Sequence, residues 1–287
     1  MNPSGQILPF PINGDYDGDM SRKISKEAAK EFLGILEIEV AKFNEMLSTD
    51  NGDWIVKGFI DIYKNVYTIS NDTKVVSKLI ELMLFPYFVD FAARHNLKLV
   101  PSREQNHYPD ITFVHKEGYK FAVDLKSTYR LANPARVSTM TLGAFTGYFR
   151  DRSSSKNITF PYEEYSGHFI LGVIYSRPEL RADELKVRAV DELREIPSVV
   201  KDLEFFVQPK YRVARDKPGS GNTKNIGAVN DTSSLINGEG PFASRGEEVF
   251  DDYWMYYLTK DMARAVELKK APYNSLAEYL EYKKNLS

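Results

Sequence analysis

His107-Tyr108-Pro109-Asp110 and, one turn later, Val123-Asp124-Leu125-Lys126 form the stretch from which the rest of the chain is read. Residues Tyr119 to Lys126 alternate, with Tyr119, Phe121, Val123 and Leu125 on one face and Lys120, Ala122, Asp124 and Lys126 on the other, the period of a half-buried strand. Ile111 to Val114 reads as the strand before it. Lys116-Glu117-Gly118 suits a three-residue hairpin loop whose glycine takes positive φ. A loop centred on Glu117 sets Asp110 opposite Asp124, and a slip of one residue would turn a whole strand face over.

That pairing gathers two carboxylates and an ammonium at one end of a hairpin. Two aspartates at close range repel unless a cation lies between them, and hard oxygen ligands without Cys or His favour Mg²⁺, with Mn²⁺ as a substitute. Lys126 follows Asp124 on the same face, about 6.5 to 7 Å further along. It is placed to stabilise the extra charge of a phosphorane or to hold an attacking water, so metal-assisted phosphodiester hydrolysis fits these parts. An acidic residue two positions before a lysine carries little by itself. Asp72-Lys74, Glu184-Lys186, Glu267-Lys269 and Glu281-Lys283 share that spacing as solvated charges, and only Asp124-Lys126 has a Pro-Asp one hairpin upstream. On pattern alone, a charged edge on a structural hairpin stands level with the catalytic reading.

Pro109-Asp110 with Asp124-Leu125-Lys126 resembles the motif of the PD-(D/E)XK nucleases. The surrounding Gln105-Asn106-His107-Tyr108-Pro109-Asp110 is similar to the EcoRV-type type II restriction endonucleases in particular. Asp72-Thr73-Lys74-Val75, Thr141-Leu142-Gly143, Lys156-Asn157-Ile158, Gly219-Ser220-Gly221-Asn222-Thr223 and Asn225-Ile226-Gly227 follow the same family order, from about Asn71 to the C-terminal region. The resemblance implies a mixed central β-sheet flanked by helices and a homodimer cutting double-stranded DNA at a palindrome, GATATC, with a blunt central cut. It implies Asp110 and Asp124 as metal ligands, Lys126 as the catalytic lysine and Glu81, on the helix facing the metal site, as an auxiliary metal ligand or water-positioning group. Gln105 and Asn106 match a minor-groove loop. Such an enzyme ordinarily has a cognate DNA methyltransferase acting on the same site.

The 287 residues, 43% apolar, suffice for one large domain, taken here as 24–287 with an N-terminal extension over 1–23. A net charge of -2 does not advertise nucleic-acid binding, so contact with DNA must rest on locally placed cations, backbone N–H groups and metal ions. No cysteine is present, which excludes disulfides, thiolate zinc sites and a cysteine nucleophile and suits the cytoplasm. No apolar run reaches the length of a membrane span, and no secretory signal pattern is seen. The histidines, His95, His107, His115 and His168, lack ligand spacing, and His107 reads as a structural hydrogen-bonder.

Residues 1–21 are rich in Gly, Pro, Asn and Asp and read as a poorly ordered arm. Ala28, Phe32, Ile35, Leu36, Val40, Phe43 and Leu47 predict one core helix over Ile24 to Leu47, with Ser25 as N-cap. Trp54–Ile60 and Val66–Ile69 predict a hairpin. In the family pattern it serves dimerisation, over about 53–70. Asp72-Thr73 caps a helix running towards Pro86. Ser127 and Thr128, after the lysine, have hydroxyls suited to phosphate contacts. A helix is predicted over Val137 to Arg150, leading to Arg152 and Lys156 as backbone contacts. The spacing from Arg150 to Lys156 and Gly147 depart from the family. His168–Tyr175 and Leu203–Val207 predict strands, and the region from Arg245 onward predicts two helices. Arg264, Lys269 and Lys270 there are either DNA contacts or solvated charges.

Lys217 to Gly227 is the second informative stretch, within a predicted recognition loop over 214–227. Its glycines let main chain approach a ligand closely. Asn222 can pair bidentately with adenine, and the Thr223 methyl can pack on a thymine methyl. Taken alone, such a loop reads as a flexible connection. The resemblance assigns base reading to Gly219, Ser220, Gly221, Asn222, Thr223 and Asn225, with Lys224 departing from an uncharged residue as an added phosphate contact or an altered flanking preference. Two other functions fit less of this pattern: a repair or junction nuclease of the same superfamily, needing no base-reading loop, and a sequence-specific binding protein that does not cut.

Overall fold

A computed structural model describes residues 16–104, 106–179, 183, 185–219 and 223–286, with side chains from Arg22 onward. Helix α1 (Tyr16–Val40) and the short α2 (Phe43–Leu47) bury Phe32, Leu36, Val40, Phe43 and Leu47 at helical spacing. This divides the expected single helix at Ala41-Lys42. Ser25 lies inside α1 rather than capping it. Of the predicted N-terminal arm, residues 1–15 lie outside the described residues, and Tyr16 onward is helical.

Strands β1 (Gly58–Ile60) and β2 (Asn65–Thr68) form the predicted hairpin. The Asp61 carboxylate ties its turn by accepting from the backbone N–H groups of Tyr63 and Asn65, both at 2.9 Å. Helix α3 (Thr73–Arg94) starts where expected, the Asp72 carboxylate accepting from Lys74 N at 2.8 Å and Val75 N at 3.3 Å. It continues eight residues beyond Pro86 to Arg94. The proline deprives only the Leu82 carbonyl of its partner, and Leu82 is exposed to water, while Phe88 and Phe91 are fully buried and hold the later turns.

Strands β3 (Leu97–Pro101), β4 (Ile111–His115) and β5 (Lys120–Tyr129) follow, then β6 (Thr141–Ala144), β7 (Tyr165–Ser176), β8 (Val187–Ala189) and β9 (Lys201–Pro209). The main sheet has the order β3-β4-β5-β7-β9, with β5 and β7 parallel and the other neighbours antiparallel. It is the mixed, helix-flanked sheet expected. Strand β8 extends the β1-β2 hairpin into a small sheet. After α4 (Lys210–Val213), β10 (Ala214–Pro218) and β11 (Asn225–Ala228) pair with each other, and β11 also pairs with β6.

The helix predicted over 137–150 is absent: β6 and a 3₁₀ turn at Gly147–Phe149 stand in its place. Gly143 at φ 90° and Gly147 at φ 60° take left-handed conformations that interrupt a right-handed helix. Helices α5 (Thr232–Asn237), α6 (Glu247–Tyr256), α7 (Lys260–Ala265) and α8 (Leu276–Lys284) complete the chain, three rather than two from Arg245 onward.

One core packs α1, α2 and α3 on a sheet face through Phe32, Phe88, Phe113, Phe121 and Phe169. A second packs Ala122, Ile170 and Ile174 against Phe145, Phe149 and Trp254, and a small third joins Val66 to Ile196. Strand β5 is therefore buried on both faces in its middle, not half-buried as its alternation suggests, because β4 and β7 flank it and a layer lies on each side. No helix among the described residues is long and apolar enough to cross a membrane.

Candidate active site

Strands β4 and β5 pair Ile111 with Val123 and Thr112 with Ala122, so one step further sets Asp110 across from Asp124. The turn glycine, Gly118, has φ 94°. Asp110 follows a cis Tyr108-Pro109 bond, and its Oδ2 accepts from the Leu125 backbone N–H at 2.7 Å. Lys126 Nζ lies 2.6 Å from Asp124 Oδ2 and 4.0 Å from Asp110 Oδ2, and donates to the Leu125 carbonyl at 3.2 Å. Asp124 is 5% exposed, so its charge depends on these neighbours rather than on water.

The electrostatics follow from that crowding. Burial, and then the Asp124 charge, push the Asp110 carboxyl up to about 7. Burial alone would lower the Lys126 ammonium, but Asp124, Asp110 and Glu81 together raise it above its ordinary value. Lys126 is thus held as a cation, while Asp110 keeps its proton to a higher pH than an ordinary carboxyl, a shift that a further cation at the site would oppose.

A cleft of about 670 Å³ opens over these three groups and is lined also by Asn106, Lys156 and Asn225. Its inner wall is aromatic. Tyr108 is buried, its hydroxyl 2.9 Å from His168 Nδ1, and it stacks on Tyr148 at 5.3 Å between ring centroids. Residues 157–159 hold Tyr108 on both sides, Tyr108 N donating to Asn157 O at 3.1 Å and Thr159 N to Tyr108 O at 2.9 Å. The Lys156-Asn157-Ile158 block therefore braces the loop that delivers Asp110. Behind it, Lys210 is 1% exposed with Nζ 4.6 Å from the Tyr108 ring centroid, and burial pushes its ammonium down to about 8. Tyr108, His168 and Lys210 were not singled out as site residues from the sequence, since only tertiary packing unites them.

Glu81 pairs with Lys78 at 2.6 Å and lines a smaller cavity shared with Asp110, Lys126 and Ser127. Among the described residues no three His, Cys, Asp or Glu side chains form a cluster able to hold a metal by themselves. Two aspartates still fit a hard divalent ion, because Mg²⁺ is commonly held by one or two carboxylates with water and substrate phosphate completing its shell. Ser127 Oγ lies against Ser77 Oγ, and Thr128 departs from its expected role: it is buried, its hydroxyl donating to Ser138 O at 2.8 Å. Arg152 is likewise engaged, with Asp251 at 2.9 Å and over the Tyr162 ring. Lys156 remains exposed on the cleft rim.

At the cleft's far side, Gly219 N donates to Asn225 O at 2.9 Å and Phe145 N to Lys224 O at 3.0 Å, so both ends of the 219–225 segment are fastened. Gly219 is buried, Lys224 is exposed and Thr223 is partly buried. Gln105, Ser220, Gly221 and Asn222 lie outside the described residues.

Comparison with known proteins agrees with this arrangement. Residues 50–284 match the family model described as restriction endonuclease EcoRV. The type II restriction enzyme EcoRV of Escherichia coli is 35% identical over 236 residues, spanning 81% of this chain and 92% of that protein. With the Pro-Asp and Asp-Leu-Lys hairpin at the centre of a mixed sheet, the chain belongs to the EcoRV family of restriction endonucleases, type II site-specific deoxyribonucleases.

Proposed function

We propose that this enzyme, as a homodimer and with Mg²⁺, hydrolyses both strands of DNA at GATATC, leaving blunt ends. The observation that carries the proposal is the convergence of Asp110, Asp124 and Lys126 on one cleft that Asn225 also lines. When bound, the cation would polarise the scissile phosphate and acidify a water. Asp110 and Asp124 would hold it, the Leu125 N–H fixing the Asp110 carboxylate in orientation. Lys126, kept protonated by its acidic neighbours, would donate to a phosphate oxygen and offset the charge that accumulates there; it is a poor general base in that state. Glu81 would assist from α3.

Base reading is assigned to Gly219 through Thr223 and to Asn225, with Asn106 and Gln105 at the minor groove and Lys156 and Lys224 on the backbone. A two-fold dimer suits a palindrome. The small β1-β2-β8 sheet supports self-association, since Phe59, Tyr67 and Val187, in register on one face, and Ile62 and Tyr63 at the turn leave apolar surface in water. The TA step at the centre of GATATC is among the easiest to unstack, which adds a deformation contribution to selectivity. A methyltransferase modifying the same sequence would protect the host.

Digestion of a long DNA of known sequence with Mg²⁺ tests the assignment. Fragments ending bluntly at GATATC are expected. Products that follow junctions or ignore sequence would favour a repair nuclease, and an intact but tightly bound duplex would favour a non-cutting binder.

A further inference from the structure

Arg215, in β10, is spent on the main chain of the segment that leaves that strand. Its Nη2 donates to the carbonyls of Pro218 and of Gly219, each at 2.8 Å. Among the described residues no carboxylate pairs with it, and its Nε is buried without a partner. A guanidinium that forgoes an ion pair to hold two backbone oxygens is a positioning device, because those oxygens are acceptors that a free loop would turn to water.

The neighbouring chain is shaped to admit it. A Cβ on Gly227, in β11, would run into Arg215 Nε and come within 2.8 Å of the Lys217 carbonyl. A Cβ on Gly219 would run into the Thr141 methyl of β6. Gly227 thus admits Arg215 beside β11, and Gly219 lets the end of β10 close on Thr141 of β6, with the Gly219–Asn225 hydrogen bond joining β10 to β11. Gly227 is explained by the room it leaves for Arg215 rather than by contact with a ligand.

We propose that Arg215 is a specificity-positioning residue: seated over Gly227, it fixes the carbonyls of Pro218 and Gly219 and so sets how Gly219 and Asn225, at the two ends of the base-reading stretch, are presented to the bases. The proposal rests on the reading of that segment as base-reading. Without the clamp, the stem carbonyls exchange between protein and water, and direct readout, which needs donors and acceptors matched to base edges, loses its reference frame.

The test compares kcat/KM on a GATATC duplex and on duplexes with one substituted base pair, for wild type, R215K, R215M and N222A, each checked for folding by circular dichroism and thermal midpoint. Lysine keeps the cation but offers a single nitrogen on a flexible stem in place of a planar fork. The cognate-to-substituted ratio is expected to fall tenfold or more in R215M and several-fold in R215K. An unchanged ratio in the folded variants, or an equal fall on every duplex, overturns the proposal. R215K decides alone if R215M does not fold. A ratio that falls in N222A but not in the Arg215 variants defeats the clamp and leaves the base-reading segment standing. A ratio unmoved in N222A counts against Asn222 as the reader, and not against the clamp.

Discussion

Lys126 and Asp110 have opposite electrostatic fates within one small volume, and each yields a measurement. Lys126 sits 2.6 Å from Asp124 and stays charged. Its replacement by methionine keeps much of the aliphatic packing and removes the donor. Cleavage should fall by about 100- to 1,000-fold, the usual loss for one preorganised donor, while Ca²⁺-supported DNA binding persists. Retained turnover in single-turnover assays would remove Lys126 from the site. Asp110, raised to about 7 by burial and by Asp124, binds its proton more tightly folded than unfolded. Its contribution to stability is therefore full below the ordinary carboxylate value and is lost as pH rises through about 7. The thermal midpoint of metal-free wild type should decline between pH 5 and 8 more steeply than that of D110N, and Mg²⁺ should restore more at pH 8 than at pH 6. Equal slopes for the two proteins would contradict the burial assigned to this carboxyl.

Among the elements, the catalytic hairpin was legible because three local signals agree: a turn glycine, an alternating strand and a Pro-Asp in register with Asp124. The stretch 137–150 was not. Its apolar residues Val137, Met140, Phe145 and Phe149 can be laid on a helix, but pairing of Thr141 with Gly227 and the left-handed Gly143 and Gly147 impose a strand and a tight turn. Tertiary pairing overrode local periodicity there, whereas at Pro86 burial of Phe88 and Phe91 overrode a proline stop. Nor did any local pattern mark Tyr108, His168 or Lys210 as one wall, since they come from a loop, β7 and α4. The hairpin β1-β2 was legible as structure, and its apolar face gives it a testable role. I62D with Tyr63→Asp places two charges on residues that are 88% and 79% exposed in the single chain, so its fold should tolerate them. Sedimentation should show wild-type dimers and variant monomers, with cleavage of both strands lost. A variant that remains dimeric would move the interface elsewhere.

The molecule as a whole carries a net charge of -2, an unfavourable sign for a DNA-binding protein. Its cleft concentrates the difficulty above about pH 7, where Asp110 has lost its proton and the floor that a scissile phosphate would approach sets two carboxylates against the single Lys126 ammonium. A divalent ion held at those carboxylates would remove the repulsion, and DNA affinity and ion affinity are then expected to be coupled, each strengthening the other. Fluorescence anisotropy on a GATATC duplex should show binding at least tenfold tighter with Ca²⁺ than with EDTA at fixed ionic strength. Measured at pH 8, where Asp110 is already ionised, D124N removes one negative charge from the floor while keeping the size of the side chain. It should bind the same duplex more tightly than wild type in EDTA and gain less from Ca²⁺. If D124N keeps the full Ca²⁺ dependence and the wild-type affinity in EDTA, repulsion in the cleft is not what the ion relieves. The coupling would then have to arise from ordering of chain remote from Asp124.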